Sequence, residues 1–149
     1  MRYAMSAGTI VLRDRKVLLV RHRGEGYDFW IPPGGRLRGS ESLFDCAARE
    51  TREETGLCVR PQRILYVEEF IERDLHFCKV WTFAPDPGGE PNLAGLDPDE
   101  DFVVDVRFAS RDDIQTENVF PAVLRDDFWS DLEQGRLETR YLGLQRIGD

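Results

Sequence analysis

The sequence feature that most constrains the fold is a glycine- and proline-rich loop that runs directly into a helix with marked ends. Between residues 23 and 38, glycines and two adjacent prolines predict a loop around the short segment 29–31. Ser42, with Asp45 three residues later, predicts the start of the helix through a capping box, and Gly56 predicts its end. The spacing of apolar residues predicts an inward face made of Leu43, Phe44, Ala47, Ala48 and Thr51.

Predicted strands lie on both sides of this loop and helix. In two cases a short charged turn joins two consecutive strands, which is typical of β-hairpins. The predicted strands are 9–12, 17–20, 64–71, 75–84 and 102–108. The segment 85–98 is rich in proline and glycine and predicts a loop. A second helix is expected over 120–132, with Phe120, Leu124, Phe128 and Leu132 on its inner face. These elements predict one α/β domain over residues 1–149, a sandwich with a mostly β core.

Composition limits the partners of this domain. The chain has 149 residues, of which 41% are hydrophobic, and this is enough for one domain core. Its formal net charge of −8 argues against duplex DNA or RNA as a partner, because nonspecific binding to a polyphosphate backbone needs clustered Lys and Arg. An acidic chain can instead collect divalent cations at one place and meet an anionic substrate through them.

The cysteines and the apolar runs indicate where the protein works. Cys46, Cys58 and Cys78 form no C-x-x-C pair and have no His at zinc-ligand spacing, so we expect small buried hydrophobic residues in a reduced compartment. The apolar stretch 9–12 is too short for a signal peptide, and no apolar run approaches the roughly 20 residues of a membrane span. The predicted location is the cytoplasm, with no membrane partner.

Three carboxylates of the first helix are candidate metal ligands. Glu50, Glu53 and Glu54 stand at i, i+3 and i+4, so we expect them on one patch of helix surface. Like charges at these spacings repel, and a hard cation such as Mg²⁺ or Mn²⁺ would offset the repulsion. The alternative is a solvated acidic face, which an acidic chain produces often. Gly34–Gly35 places exposed backbone groups beside the helix, and Arg49 can clamp a neighbouring glutamate, so both favour the metal site.

The window from Gly35 to Leu57 resembles the signature of the Nudix hydrolase family, G-x5-E-x7-R-E-U-x-E-E-x-G-U, where U is a bulky aliphatic residue. The residues in register are Gly35, Glu41, Arg49, Glu50, Glu53, Glu54, Gly56 and Leu57. Thr51 departs from the pattern, because it stands where an aliphatic residue is preferred. Its methyl group can still pack if its hydroxyl bonds back along the helix.

The resemblance implies an α/β/α sandwich with a mixed β-sheet. It also implies hydrolysis of a phosphate–phosphate bond in a nucleoside diphosphate-linked substrate, such as a nucleoside triphosphate, a nucleotide sugar, ADP-ribose or a dinucleoside polyphosphate. In the family, the residues that match Glu50, Glu53 and Glu54 bind metal, and the carbonyl that matches Gly35 can add a ligand. Metal ions that bridge two phosphates neutralise charge and activate water for in-line attack.

The general base differs among members of the family, and is either a glutamate of the signature helix or an acid on a distant loop. We favour Glu53 or Glu54, and Glu100 is the loop candidate because it precedes a predicted strand. The alternative for Glu100 is a solvated acid within an acidic run. Arg49 is expected to orient a carboxylate, and Glu41 to fix the junction of loop and helix.

The residues that would recognise the rest of the substrate carry weaker signals. Arg21 and Arg23 end a predicted strand and could reach phosphate, although arginines at strand ends are often solvated. Phe29 and Trp30 could stack on a base, although aromatic residues beside a turn are often core residues. The stretch 141–144 contains no motif, and is expected either to cover an edge strand or to join a homodimer.

Two other classes of function stay open. One is a Nudix-fold regulator that binds a nucleotide without cutting it, and such a protein usually loses a helix carboxylate, whereas this chain keeps all of them. The other is an isoprenyl diphosphate isomerase, which needs additional cysteine and glutamate catalysts in matching motifs. Cys46 and Cys58 lie in and just after the predicted helix, where packing explains both.

Overall fold

A computed structural model describes residues 1–148, which form eight strands, three α-helices and two short 3₁₀ turns. The strands are β1 (Arg2–Arg13), β2 (Lys16–Gly24), β3 (Tyr27–Ile31), β4 (Gly34–Arg36), β5 (Arg63–Glu72), β6 (Leu75–Ala84), β7 (Val103–Ser110) and β8 (Arg140–Ile147). The helices are α1 (Leu43–Thr55), α2 (Arg111–Gln115) and α3 (Asp127–Glu133), and the 3₁₀ turns are Pro98–Glu100 and Ala122–Leu124.

All eight strands join one mixed sheet. Its main order is β3-β2-β1-β6-β5-β8, with β4 paired to β1 and β7 paired to β2. Two pairs are parallel, β1 with β6 and β5 with β8, and the other pairs are antiparallel. The two predicted hairpins are confirmed as β1–β2 and β5–β6, and the predicted strand 102–108 is confirmed as β7.

Helices cover both faces of the sheet, because neighbouring strand residues point to opposite sides. Val11 and Leu18 pack with Leu57 on the face that carries α1, and Ala7 packs on the same face with Cys46 and Ala47 of α1. Their neighbours Ile10 and Leu19 pack on the opposite face, in a cluster that holds Ile114 of α2 and Phe128 and Trp129 of α3. The expected α/β/α sandwich with a mixed sheet is therefore confirmed.

The first helix begins and ends where the sequence predicts. The Ser42 hydroxyl accepts a hydrogen bond from the Asp45 amide at 3.1 Å, and Gly56 ends the helix with φ of 78°. The predicted inward face is only partly right, because Leu43, Phe44 and Ala48 are half-buried, whereas Ala47 and Thr51 are buried. The buried residues of the helix are Cys46, Ala47, Glu50, Thr51, Glu54 and Thr55. Two of the three candidate carboxylates therefore face the protein and not the solvent.

Two further expectations need correction. The helix predicted over 120–132 is wrong in its first half, where the chain forms a 3₁₀ turn and α3 starts only at Asp127. Pro121 has no amide hydrogen, and the Leu124 carbonyl accepts a hydrogen bond from the Trp129 indole at 2.7 Å, so neither group joins a continuous helix. Phe120 is consequently 46% exposed, whereas Leu124 and Phe128 are buried as predicted.

The prediction of buried thiols is wrong for Cys58, which is exposed because it lies between Leu57 and Val59, both of which point inward. Cys46 is buried and Cys78 is half-buried, and all three thiols are free. The stretch 141–144 belongs to β8, which covers the edge of β5. The homodimer stays a prediction.

The seam between α1 and the sheet contains buried hydroxyl groups. The Thr51 hydroxyl donates a hydrogen bond to the Ala47 carbonyl at 2.7 Å and lies 3.1 Å from the Thr9 hydroxyl. Thr9 can itself donate to the same carbonyl, at 3.3 Å. The threonine that departs from the family pattern thus satisfies its hydroxyl within its own helix, and leaves its methyl group free to pack.

We expect Thr51→Val to lower the free energy of unfolding by about 0.5 to 1.5 kcal/mol, since it removes one buried hydrogen bond without changing the volume. Urea denaturation measures the difference. Thr116→Val is the control, because Thr116 is exposed and also donates to a helix carbonyl. A Thr51→Val protein as stable as the wild type would show that the hydroxyl contributes nothing.

Candidate active site

A cleft of about 460 Å³ opens beside β4 and the C-terminal half of α1. It is lined by His22, Gly34, Gly35, Arg36, Arg38, Glu50, Glu54, Lys79, Glu100 and Phe102. These residues come from β2, β4 and β6, from the loop after β4, from α1 and from the turn that precedes β7. The sheet and the first helix therefore supply one wall each, and the turn closes a third side.

Three carboxylates come together at this cleft. Oxygen atoms of Glu50, Glu53 and Glu100 all lie within 4.8 Å of one another. Glu50 is only 3% exposed, and the Oε2 atom of Glu100 is buried without a hydrogen-bond partner in the described part of the chain. Burial, followed by the charges of Glu50 and Glu53, raises the pKa of Glu100. Glu100 is thus not a solvated acid, although it stands in an acidic run.

This group fits a hard divalent cation. Carboxylate oxygens are the ligands that Mg²⁺ and Mn²⁺ prefer, and three ionised carboxylates at this separation repel unless a cation lies between them. The unpartnered Oε2 atom of Glu100 also needs a partner, because an unsatisfied buried polar atom costs about 1 to 3 kcal/mol. The residues that would hold the ion are Glu50, Glu53 and Glu100.

Arg49 fixes the carboxylates from the side. Its guanidinium donates two hydrogen bonds to Glu41, at 2.6 and 3.0 Å, and one to Glu50 at 2.9 Å. It also lies 3.4 Å from an oxygen of Glu53, and it donates to the Arg36 carbonyl at 3.2 Å. One planar group therefore ties the loop before α1 to two of the three clustered carboxylates.

The two glycines of β4 allow the carboxylates to approach the sheet. The Gly34 amide donates to Glu54 at 3.0 Å. A Cβ atom on Gly35 would lie 2.5 Å from the carboxylate carbon of Glu50, so no other residue fits there without moving that carboxylate. The Gly35 carbonyl accepts a hydrogen bond from the Cys46 thiol at 3.4 Å, and its role as a metal ligand stays a prediction.

Glu54 lies apart from the three clustered carboxylates. It is 2% exposed, and burial, followed by the charge of Glu50, raises its pKa well above the usual value. Its second oxygen is 4.0 Å from Nε2 of His22. Burial, followed by the charge of Lys79, lowers the pKa of His22 to about 4, so the imidazole is neutral near pH 7.

Lys79 of β6 is a cleft residue that the sequence analysis missed. Its ammonium group lies 4.5 Å from the ring centroid of Trp81, and the pairing of β5 with β6 places Glu68 opposite it. Burial lowers the pKa of Lys79, and the nearby charges of Glu54 and Glu68 oppose this shift. The available signal was that Lys79 is the one Lys, Arg, Asp or Glu residue in the predicted strand 75–84.

The four predicted substrate-binding residues are divided between the two faces of the sheet. Trp30 is 5% exposed and belongs to the core cluster opposite α1, so it does not line the cleft. Arg21 is held by Asp28 through two hydrogen bonds, at 2.7 and 2.8 Å, and lies on the same side as Trp30. Arg23 is exposed at the end of β2. Phe29 is the exception, because its ring lies 5.1 Å from the ring of His22, a residue of the cleft.

Comparisons with known proteins agree with this architecture. The NUDIX domain family matches residues 2–128, and the chain therefore belongs to the Nudix family. Proteins named Phosphatase NudJ, from Escherichia coli strain K12 and from Shigella flexneri, are 33% identical to it over 70 residues. The matched segment covers 47% of this chain and 46% of each relative, so the alignment spans less than half the length of these relatives.

Solved structures share the fold at lower identity. The Escherichia coli ORF135 protein superposes with a TM-score of 0.73 at 18% identity, over 93% of this chain and 96% of that one. A MutT protein from Methanosarcina mazei Go1 gives 0.70 at 22% identity, over 91% and 96%. An ADP-ribose pyrophosphatase from Streptococcus suis 89-1591 gives 0.62 at 22% identity, over 95% and 98%. Within residues 1–148, no helix is long and apolar enough to cross a membrane.

The ion pair of Arg49 and Glu41 makes the free energy of unfolding depend on pH. Hydrogen bonds from Arg49, and then from the Arg38 amide, lower the pKa of Glu41 to about 2. A carboxyl group whose pKa is lower in the folded state stabilises the fold above its unfolded pKa of about 4.5, and this contribution is lost as the pH falls towards 2.

Glu41→Gln should therefore lower the free energy of unfolding by about 1 to 3 kcal/mol at pH 7, and by progressively less between pH 4.5 and 2. Thermal or urea unfolding at a series of pH values measures both effects. Glu138→Gln, at an exposed position outside the cleft, is the control. A difference from the wild type that stays constant across this pH range would contradict the assignment.

Proposed function

We propose that this protein is a divalent-cation-dependent hydrolase that cleaves a phosphate–phosphate bond in a nucleoside diphosphate-linked substrate. The observation that supports it best is the group of Glu50, Glu53 and Glu100, whose oxygens lie within 4.8 Å of one another beside an open cleft. The membership of the Nudix family points the same way. Some relatives and structural neighbours are named phosphatase or ADP-ribose pyrophosphatase, which agrees with a phosphorylated small-molecule substrate.

The carboxylates would hold Mg²⁺ or Mn²⁺. Such an ion supplies charge neutralisation of the phosphate oxygens and lowers the pKa of a bound water. The buried position of Glu50 and the contacts of Arg49 keep the ligand oxygens in place before the ion binds, so little reorganisation is needed.

Residues on the other walls of the cleft would bind and orient the substrate. Lys79 and the exposed side chains of Arg36 and Arg38 place positive charge around a cavity that otherwise carries carboxylates. These three cations would contact the phosphate oxygens that the metal ion leaves free. Arg38 lies 3.7 Å from Glu53, so it can move between that carboxylate and a phosphate.

Glu54 is the general base that we now favour over Glu53. It lines the cleft, one of its oxygens is held by the Gly34 amide, and the other oxygen points towards His22. Glu53 and Glu100 stand in the cluster that would hold the cation, and we assign both of them to metal binding. Arg49 acts as a positioning residue, because it contacts carboxylates and not the cleft itself.

Location and partners complete the proposal. Free thiols at Cys46, Cys58 and Cys78 are consistent with a reducing compartment, and we propose the cytoplasm. The net charge of −8 favours a small nucleotide over a duplex nucleic acid as the partner.

The first test is hydrolysis by the purified chain with and without Mg²⁺ or Mn²⁺, on a panel of nucleoside triphosphates, nucleotide sugars, ADP-ribose and dinucleoside polyphosphates. Glu53→Gln should lower kcat on the best substrate by about 100-fold or more, since it removes one charged ligand. The control is Glu72→Gln, an exposed glutamate outside the cleft. The proposed hydrolase activity is refuted if no compound releases phosphate or nucleoside monophosphate. Nucleotide binding without cleavage would favour the alternative, a Nudix-fold regulator that binds a nucleotide without cutting it.

A second test concerns the space beside Gly35. Gly35→Ala should weaken Mn²⁺ binding by about 10-fold or more, because the new Cβ atom displaces the Glu50 carboxylate, which lies 2.5 Å from its position. Calorimetric titration with Mn²⁺ measures the change without any need for a substrate. Gly95→Ala is the matched control, since its Cβ atom would lie 3.6 Å from the nearest atoms. Equal Mn²⁺ affinity in the wild type and in Gly35→Ala would exclude Glu50 as a ligand in the position described.

A further inference from the structure

Helix α1 covers only one end of its side of the mixed sheet, on which it packs mainly against β1 and β4. Strand residues two positions apart point to the same side, so Tyr3 and Met5 share the side of Ala7, which is buried beneath α1. Tyr3 and Met5 are nevertheless exposed, Tyr3 to 77%. Beyond Ala7, this side of the sheet is therefore open to solvent.

Strand pairing continues the open surface across the sheet. Met5 lies beside Cys78 of β6, and Cys78 lies beside Glu69 of β5. Leu144 of β8 follows on the far side of Glu69. Tyr141, on the same side of β8, donates a hydrogen bond from its hydroxyl group to Glu69 at 2.7 Å. We call the surface formed by Tyr3, Met5, Glu69, Cys78, Tyr141 and Leu144 the open face.

The open face concentrates apolar side chains at the surface. Eight large hydrophobic residues are exposed within residues 1–148, and four of them, Tyr3, Met5, Tyr141 and Leu144, belong to this face. Its four strands, at about 4.8 Å spacing and over about five residues each, give an area of roughly 300 to 400 Å². Exposed apolar patches of about 300 to 600 Å² are often functional in soluble proteins. The open face is therefore a candidate interaction surface.

The charges of the open face balance, although the chain carries a net charge of −8. Glu69 is the one carboxylate among its six residues, and it is bound by the Tyr141 hydroxyl and lies 2.7 Å from Nε2 of His76. Arg146 of β8 stands at the end of the face, on the same side of the sheet. A partner can therefore exclude water from this face without leaving a buried carboxylate unpaired, which would be strongly destabilising.

These properties favour a second copy of this chain as the partner. The acidic surfaces of two copies repel one another, so contact costs least where the charges balance. An anionic membrane or a nucleic acid would instead require clustered Lys and Arg. A pleated sheet surface also packs well on another sheet surface, at a distance of about 10 Å.

We propose that this protein forms a homodimer with twofold symmetry, in which the open faces of two copies pack against each other. Because α1 covers one end of its side of the sheet, the twofold axis runs across the strands, which keeps the two helices at opposite ends and places β8 opposite β8. Two faces bury roughly 600 to 800 Å², and their rims bring the contact towards the roughly 1,000 Å² of a small specific interface. We expect a dissociation constant in the micromolar range.

Sedimentation velocity at protein concentrations from about 1 to 100 µM tests the dimer without any substrate, so its outcome is independent of hydrolysis. The wild type should change from monomer to dimer across this range. Leu144→Arg should raise the dissociation constant by about 100-fold or more, because it sets like charges opposite each other in an apolar contact. Ile147→Arg is the matched control, since Ile147 lies on the same strand at similar exposure, 42% against 44%, but points to the other side of the sheet.

A mixture of two variants separates a lost contact from a misfolded chain. Leu144→Glu alone should be monomeric, whereas an equal mixture of Leu144→Arg and Leu144→Glu should recover the dimer, because opposite charges then meet at β8. Tyr3→Arg, at an exposed position on β1, should weaken the dimer from the other edge of the face. A wild type that stays monomeric at about 100 µM, or a dimer that Ile147→Arg disrupts and Leu144→Arg does not, would overturn the proposal.

Discussion

The rest of the site depends on the hydrogen bonds that the guanidinium group of Arg49 donates to glutamates. Glu50, Glu53 and Glu54 repel one another on a single helix, and two of them are buried, so the fold needs nearby positive charge. Arg49 supplies it with donor groups to Glu41, Glu50 and Glu53, and these bonds raise its own pKa. Because Glu41 is also bound by the Arg38 amide, the loop before α1 and the carboxylates on α1 are held by the same group.

Local signals were enough to predict α1 and the strand pairs. A capping serine, a glycine at the C-terminus and charged turns between aliphatic runs act over a few residues, and the structure places the elements accordingly. The segment after Phe120 was not predictable in this way, because the Leu124 carbonyl is bound by an indole group and not by a helical amide. Strand β8 also lacked a signal, since its place depends on the free edge of β5.

The sequence predicted the site residues that lie on α1, but not all of those that strand pairing brings to the cleft. Spacing predicted one patch of glutamates on α1, but only Glu50 and Glu53 join the cluster with Glu100. Spacing also could not show that Glu50 and Glu54 face inward, because α1 is oriented by its packing on Thr9 and Ala7. Lys79 enters the cleft through the parallel pairing of β1 with β6, which no local pattern reveals. In the structure, Phe29 lies on the opposite face of β3 from Trp30, and Arg21 lies on the side of Trp30, but the sequence alone did not tell which face carries the site.

Glu100 stands on a 3₁₀ turn between β6 and β7, far along the chain from the other members of its cluster. A cation shared by Glu50 and Glu100 would therefore act as a cross-link between α1 and the connection that enters β7, and not only as a reactive centre. An ion that binds the folded chain and not the unfolded one shifts the unfolding equilibrium by mass action. Resistance to heat and proteolysis in this protein would then vary with the divalent-ion content of its surroundings.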